Sequence, residues 1–327
     1  MNKVIIDAMG GDYAPLEVIL GASLARKEFG IDSILVGRRE EIRKILDEVG
    51  EDFEIVDARD VVTMEDKPVH AFRKKKESSI NVSMNLLKEK KGCAVVSAGN
   101  TGAVLTSSYF ILGKIEGVVR PTQSAIIPTL SGFLVLVDAG ANVDAKSDNL
   151  VEWAKMGKVF SKLVSGKEKI KIGLLNIGEE EEKGNDVTKE AYKLLKDAFP
   201  SEFEGNMEGK DFLTGKFDLC VTDGFTGNIA LKTLEGEASL FLNIIRGIFK
   251  KNIITNISWL LVGKEFKREF SKFDYEIYGG SPILGIDGVV IVAHGRSKRK
   301  AVKNAIKMAK ELSDKGLIEK LRNEISH

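Results

Sequence analysis

The sequence predicts an α/β fold, a three-layer α/β/α sandwich around a mostly parallel sheet. Three observations lead there: short, wholly apolar runs recur along the chain, longer amphipathic stretches separate them, and glycine-rich turns follow most of the runs. Apolar runs bounded by turn residues are strands buried on both faces. Helices between such strands cover the two sides of a parallel sheet.

Strands are expected at Val4–Asp7, Ser33–Gly37, Phe53–Val56, Ala94–Ser97, Ser124–Pro128, Phe133–Asp138, Lys171–Leu175, Asp218–Thr222 and Gly288–Ala293. Amphipathic periodicity places helices at Pro15–Phe29, Glu40–Val49, Ser79–Lys90, Thr101–Leu112, Asn149–Leu163, Asp186–Ala198, Asn228–Lys250 and Ser297–Lys315. Ser124–Asp138 departs from the parallel pattern, because two strands flank the turn Leu130-Ser131-Gly132 and read as a hairpin. With 327 residues, 43% of them hydrophobic, the chain can bury a sizeable core. One domain over 1–327 is expected, with an amphipathic helical hairpin protruding at about 240–273.

Composition narrows the function. The 49 Lys and Arg nearly balance the 48 Asp and Glu, which argues against a nucleic-acid binder. Cys93 and Cys220 sit in apolar runs without a CxxC pair, so buried thiols in a reducing compartment are expected. The N-terminal MNKVIIDAMGGD has no signal-peptide pattern, and no segment reaches the length of an apolar membrane span. A cytoplasmic location follows as the expectation.

The glycine-rich turns carry the most information. They are Ala8–Asp12, Ser97–Gly102, Asp138–Asp144, Asn176–Glu179, Asp223–Asn228 and Tyr278–Ser281. In a parallel sheet they gather at the carboxyl edge, where ligands bind. Glycine admits close backbone approach, and a helix start offers unpaired N–H groups to an anion. Two of these segments share one layout of strand, Thr-Gly turn and helix: Cys93–Ala103 and Cys220–Asn228. No GxGxxG follows a strand, and GxxxxGK[ST], HExxH and GxSxG are absent. His70, His294 and His327 are scattered, so neither a metal site nor a Ser-His-Asp triad is expected. An anion pocket with no nucleophilic side chain, metal or cofactor suits attack of phosphate on a thioester. Such a site has to hold the anion in line and stabilise a tetrahedral oxyanion. Composition permits this chemistry without selecting it.

The segments DAMGGD, MEDKPVHAFRKKKESS, SAGNTGA, DAGANVD, GLLNIGEEEEKGN, DGFTGNIALKTLEG and YGGSPILGIDG resemble, in order, the signature blocks of the bacterial phosphate:acyl-[acyl carrier protein] acyltransferase family. They run from Asp7 to Gly288, and NIGEEEEKGN with DGFTGNIALKT is the most specific pair. The resemblance implies a fold related to isopropylmalate dehydrogenases and phosphotransacetylases, and a homodimer. It also implies transfer of a long-chain acyl group from acyl-acyl carrier protein to inorganic phosphate, giving acyl phosphate for phospholipid synthesis.

On the matching positions, Lys183 and Asn228 are the catalytic candidates, with Asn185 beside Lys183 at a helix start. Gly10, Gly11, Asp12, Asn100, Thr101, Gly102, Asn142, Asp144 and Gly227 are expected to line the pocket, and Asp223 to cap the following helix. His294 is expected either to touch substrate or to be structural. Arg296 stands where the family more usually has serine after His-Gly.

Arg73, Lys74, Lys75 and Lys76 read as a solvated helix start or as a docking surface for the acidic carrier. Arg296, Lys298, Arg299, Lys300 and Lys303 form a second basic patch. Leu240–Phe273 interleaves apolar and basic residues, as a dimer-packing pair or an interfacial membrane contact would. Ile253, Ile254, Trp259, Leu260 and Leu261 are its candidate membrane residues, a placement suited to handing the product to an acylphosphate:glycerol-3-phosphate acyltransferase. The rival readings are a phosphotransacetylase using a short acyl-coenzyme A, a dehydrogenase of related fold, and a non-catalytic membrane adaptor.

Overall fold

Alternation along buried strands generates the layers. In a computed structural model, which describes residues 3–271 and 275–326 without the side chains of Ile253, Lys267, Glu269, Phe270, Ser271 and Tyr275, eleven strands form one sheet. In chain order they are β1 (Val4–Asp7), β2 (Ser33–Gly37), β3 (Glu54–Asp57), β4 (Ala94–Ser97), β5 (Thr122–Thr129) and β6 (Gly132–Val137). Then come β7 (Ile172–Leu175), β8 (Phe203–Met207), β9 (Leu219–Val221), β10 (Ser281–Leu284) and β11 (Val290–Val292). Across the sheet their order is β3-β2-β1-β4-β11-β10-β5-β6-β9-β7-β8.

The helices are α1 (Leu16–Phe29), α2 (Arg39–Val49), α3 (Pro68–Lys74), α4 (Ser79–Lys88), α5 (Thr101–Ile111) and α6 (Ser147–Ser165). They continue as α7 (Asp186–Ala198), α8 (Gly224–Phe249), α9 (Ile253–Ser271), α10 (Arg299–Asp314) and α11 (Leu317–Ser326). Val4 and Ile6 of β1 enter a core with α1, α6 and α10, while Ile5 faces a second core under α4 and α5. On β6, Val135 and Val137 join the first core; Leu134 and Leu136 face a third, covered by Ala230, Leu231 and Leu234 of α8. The expected three layers follow from this alternation.

One expectation is corrected. β1, β2, β3, β4 and β11 run parallel, and β6, β9, β7 and β8 run parallel among themselves. Between the sets, β11–β10, β10–β5 and β5–β6 pair antiparallel. Three reversals turn the second set against the first. The glycine turns therefore lie on two opposite edges rather than on one.

The expected strands and helices are present with ends moved by a few residues; β8, β10, α3 and α11 are additional. The expected hairpin is the outer part of α8 with α9, and Lys272 and Phe273 lie outside the described residues. Phe249 of α8 packs on Trp259 of α9 at a centroid distance of 4.8 Å, and Trp259 on Phe266 at 5.6 Å, which ties the two helices together.

Candidate active site

Strands β6, β9 and β7 are neighbours, and their carboxyl ends carry one set of turns. The buried carboxylate of Asp138, just past β6, organises this edge. Its Oδ1 accepts from the backbone N–H groups of Gln123 (3.2 Å), Gly140 (3.0 Å) and Ala141 (2.9 Å). Its Oδ2 accepts from the backbone N–H of Asn142 (2.7 Å) and from Asn142 Nδ2 (2.8 Å). Five donors around one carboxylate compensate its burial and fix the turn. Asn142 Nδ2 also donates to the Pro121 carbonyl at 2.9 Å, so this side chain is an internal brace.

The turn is pressed against the start of α8. Gly224 N donates to the Asn142 carbonyl at 2.8 Å, and a Cβ placed on Gly227 would lie 2.0 Å from the Asp138 carbonyl oxygen. A Cβ on Gly140 would meet Asn228 Cβ at 3.3 Å, so glycine lets the β6 turn support the exposed Asn228 directly. Asp223 caps α8 as expected: its Oδ1 accepts from Thr226 N and its Oδ2 from Thr226 Oγ1, both at 2.8 Å.

Lys183 and Asn185 leave the end of β7 and enter α7. Asn185 is the N-cap, its Oδ1 accepting from Thr188 N at 2.9 Å, which leaves its amide N–H groups for other acceptors. Gly184 has a φ of +96°, and a Cβ there would fall 2.1 Å from Thr188 Oγ1, so the bend carrying Lys183 requires glycine. Asn176 Nδ2 holds the bend by donating to the Lys183 carbonyl at 3.0 Å. Glu179 faces Lys210 and Lys216, and Glu181 faces Lys196. Among the described residues, the exposed Lys183 ammonium forms no ion pair with the four preceding glutamates.

The carboxyl ends of β1, β4 and β11 form the other edge. Asp7 is buried; its Oδ2 accepts from Ser97 Oγ at 2.6 Å and its Oδ1 from Met9 N at 3.2 Å. Burial pushes its pKa above the usual carboxylate range, while hydrogen bonds from Ser79 and Ser97 oppose the shift. Gly10 lies close to this carboxylate, and a Cβ there would reach to 2.5 Å from Asp7 Oδ2. Asn100 caps α5 through Ala103 N at 3.1 Å, and its Nδ2 clips the carbonyls of Met64 and Asp66, each at 3.1 Å. Its side chain is thereby committed to structure, as is Gly102, whose absent Cβ makes room for Pro68. Thr101 is exposed, and Asp12 N donates to the Gly295 carbonyl at 2.8 Å.

His294 joins this edge to α8. Its Nδ1 accepts from Arg296 N at 3.2 Å, and its Nε2 lies 4.0 Å from Glu235 Oε2. Burial, with Lys232 and Arg296 nearby, holds its pKa below the ordinary imidazole value, against the opposite pull of Glu235 and Asp12. Asn228, Lys232 and Glu235 are spaced i, i+4 and i+7 on α8, and Lys232 Nζ pairs with Glu235 Oε2 at 2.8 Å. At ~1.5 Å per residue, Asn228 and Glu235 are about 10 Å apart along the helix. Lys232, Glu235 and the two organising carboxylates were not among the expected site residues. The i, i+4, i+7 pattern after Asn228 and the repeated Asp-Ala opening of two turns are the signals that point to them.

The basic candidates divide. Lys75 turns inward, donating to the Val61 carbonyl at 2.8 Å and to Asp66 Oδ2 at 2.5 Å, whereas Arg73, Lys74 and Lys76 stay exposed. In the second patch Arg299 is engaged by Glu17 and Lys303 by Glu28, both at 2.6 Å. On the hairpin, Ile254, Leu260 and Leu261 are 76%, 80% and 79% exposed. Trp259 lies inside the hairpin against Phe249 and Phe266, and the Ile253 side chain lies outside the described residues. No helix among the described residues is long and apolar enough to cross a membrane, and none of their His, Cys, Asp and Glu side chains cluster as a metal site.

The family described as fatty acid synthesis protein matches residues 2–320. A phosphate acyltransferase of Dictyoglomus turgidum is 47% identical over 314 residues, covering 95% of this chain and 94% of that protein. The phosphate acyltransferase of Desulforamulus reducens is 45% identical over 335 residues, covering 100% and 98%. Among solved structures, a phosphotransacetylase from Streptococcus pyogenes superposes with a TM-score of 0.65 at 17% identity, covering 96% of this chain and 94% of that one. A branched-chain phosphotransacylase from Enterococcus faecalis gives a TM-score of 0.59 at 15% identity, covering 96% and 99%. A 4-hydroxythreonine-4-phosphate dehydrogenase from Klebsiella pneumoniae gives 0.52 at 13%, covering 96% and 100%. These distant structures share the fold.

Proposed function

This chain belongs to the fatty acid synthesis protein family and is a phosphate acyltransferase; we propose that it moves a long-chain fatty acyl group from the thioester of an acyl carrier protein to inorganic phosphate. The observation that carries the residue assignment is the shared edge of β9 and β7, which puts Asn228 at the start of one helix and Lys183 with Asn185 at the start of another. The α7 start supplies helix-terminal N–H groups, an ammonium and an amide, a donor set suited to a phosphate dianion. The Asn228 amide, held by the Asp138 turn, donates to the thioester oxygen as negative charge develops there.

A phosphate oxygen attacks the thioester carbonyl, the tetrahedral oxyanion collapses, and the carbon–sulfur bond breaks. The proton carried by hydrogen phosphate ends on the departing thiolate, so acyl phosphate and free carrier thiol balance the reaction. The reading requires no metal or cofactor. Gly10, Gly11, Asp12, Thr101 and His294, across α8, suit the non-reacting part of the substrate. Asp144, exposed two residues past Asn142, is open to the substrate as well.

The exposed Ile254, Leu260 and Leu261 fit a peripheral membrane contact, where a membrane acyltransferase would consume the acyl phosphate. A homodimer and a single catalytic unit with a projecting hairpin complete the proposal. Thiol release from palmitoyl-acyl carrier protein, with and without phosphate and with hydroxylamine trapping of acyl phosphate, tests it. Phosphate-independent release, or release only from a short acyl-coenzyme A, overturns it.

A further inference from the structure

We propose that the groove between α3, α4 and α5 docks an acidic amphipathic helix of the thioester carrier. The proposal rests on the carrier-dependent reading above and adds the surface and the kind of segment it takes. The groove has a volume of about 540 Å³ and is lined by Phe72, Arg73, Lys76, Asn81, Asn85 and Ile111. Its apolar side continues onto the surface. Phe72 stacks on Phe110 with centroids 5.1 Å apart, Tyr109 meets Phe110 edge-on at 5.4 Å, and Val69, Tyr109 and Phe110 are all exposed. Single exposed apolar side chains are ordinary, whereas a contiguous set beside a groove marks an interaction site.

The walls are fixed before any partner arrives. Asn81 is buried; its Nδ2 donates to the Lys75 carbonyl at 3.0 Å, and its Oδ1 accepts from Ser107 Oγ at 2.7 Å. Asn81 thus ties α3, α4 and α5 together, and a preformed groove lowers the ordering cost of binding. With Lys75 turned inward, Arg73 and Lys76 remain on the rim. An apolar floor under a cationic rim is complementary to a helix with an apolar ridge and acidic flanks.

Position also favours this partner. Ile111 ends α5, and the chain then passes to Arg120, whose Nη1 donates to the Asp144 carbonyl at 2.8 Å. Glu152 holds Val119 N and Arg120 N at 2.5 and 3.0 Å, and Pro121 accepts from Asn142. The groove is therefore joined to the Asp138 turn by ten residues of chain, braced at Val119–Pro121 and spanning at most about 36 Å. A carrier seated here sits within that reach of the edge that holds Asn228 and Lys183.

Binding of fluorescently labelled acyl carrier protein, followed by anisotropy, tests the proposal without requiring turnover. Arg73→Glu with Lys76→Glu, and separately Phe110→Asp, are each expected to weaken binding at least tenfold. Lys307→Glu with Lys320→Glu, a charge-matched change on distant exposed residues, is expected to bind as wild type. Carrier binding absent in the wild type, or equal in all variants, overturns the groove. Carrier binding without phosphate-dependent thiol release would instead overturn the acyl-transfer reading and leave the groove standing.

Discussion

Replacing Gly227 by alanine tests whether the β6 turn and the first turn of α8 really form one unit. The new Cβ would sit 2.0 Å from the Asp138 carbonyl oxygen and 3.0 Å from Thr222 Cγ2. Both the carbonyl and the helix are backbone, so no side chain can swing away. Ordinary carbon–oxygen contact is about 1.2 Å longer, and the helix start has to retreat by roughly that distance. Asn228 is the next residue and retreats with it. A misplacement of about 1 Å at a reacting centre costs on the order of 100-fold in rate, about 2.7 kcal/mol in barrier.

The same overlap is expected to cost about 1–3 kcal/mol of stability. Helix propensity alone predicts the opposite sign, because alanine in a helix is favoured over glycine by about 1 kcal/mol. Gly236 on the same helix supplies the control, since a Cβ there meets nothing within 4 Å. Gly236→Ala is expected to raise Tm slightly and leave kcat unchanged. Calorimetry and the phosphate-dependent thiol-release assay read both variants. A Gly227→Ala protein with unchanged or raised Tm and kcat within threefold of wild type would refute the reasoning.

Lys183→Ala and Asn228→Ala are each expected to lower kcat by about 100-fold or more, as loss of one oxyanion or phosphate donor does, with Tm within a degree or two because both side chains are exposed. A kcat within fivefold of wild type in either would remove that residue from the mechanism. Asp7 has its folded pKa raised by burial, so the folded state binds its proton more tightly than the unfolded chain. Its carboxylate therefore lowers stability progressively as pH rises through the unfolded carboxylate value towards the folded one. Asp7→Asn is expected to gain stability relative to wild type at pH 7 and to lose that advantage at about pH 3, below the unfolded value; denaturant melts at the two pH values decide it. On the hairpin, Ile254→Ser with Leu260→Ser and Leu261→Ser is expected to abolish flotation with anionic liposomes while thiol release from soluble carrier stays near wild type. Undiminished flotation would assign those side chains to packing instead.

The sequence makes most of the sheet legible, because runs such as Val4–Asp7 and Ala94–Ser97 are apolar on both faces and end in turn residues. Two strands escape that rule for identifiable reasons. In β8, Phe-Glu-Gly-Asn-Met, only Asn206 and Met207 are buried, as befits the last strand of the sheet. In β10, Ser-Pro-Ile-Leu carries a proline, which ordinarily argues against an internal strand. Missing β10 has a large consequence. With it, the Thr122–Val137 hairpin is one part of a triple antiparallel junction; without it, the hairpin reads as an excursion from a uniformly parallel sheet. The candidate residues were visible as turn chemistry, but their division between two edges depends on that junction. Lys75 shows the limit at the side-chain level, since four consecutive basic residues look equivalent until Asp66 and Val61 claim one of them.

Opposed strand sets raise a physical question: how do turns on two edges serve one reaction? α8 supplies the connection. It starts at the carboxyl end of β9, crosses the sheet face over Leu134 and Leu136, and reaches His294, just past β11, with Glu235. Asn228 at its start faces Gly140, and Glu235 about two turns later faces His294 on the edge of β1, β4 and β11, so a single rigid helix sets their spacing at about 10 Å. An extended thioester substrate is longer than either cluster alone. Lying along α8, it would meet the proposed reacting group at Asn228 and the proposed binding groups near His294. Fixed spacing on a helix holds such a substrate more reliably than two independent loops would. The apolar outer half of the same helix leads on from Glu235 towards α9. If Asn228 donates to the thioester as proposed, the reacting group and the substrate-aligning groups are coupled through one 26-residue element.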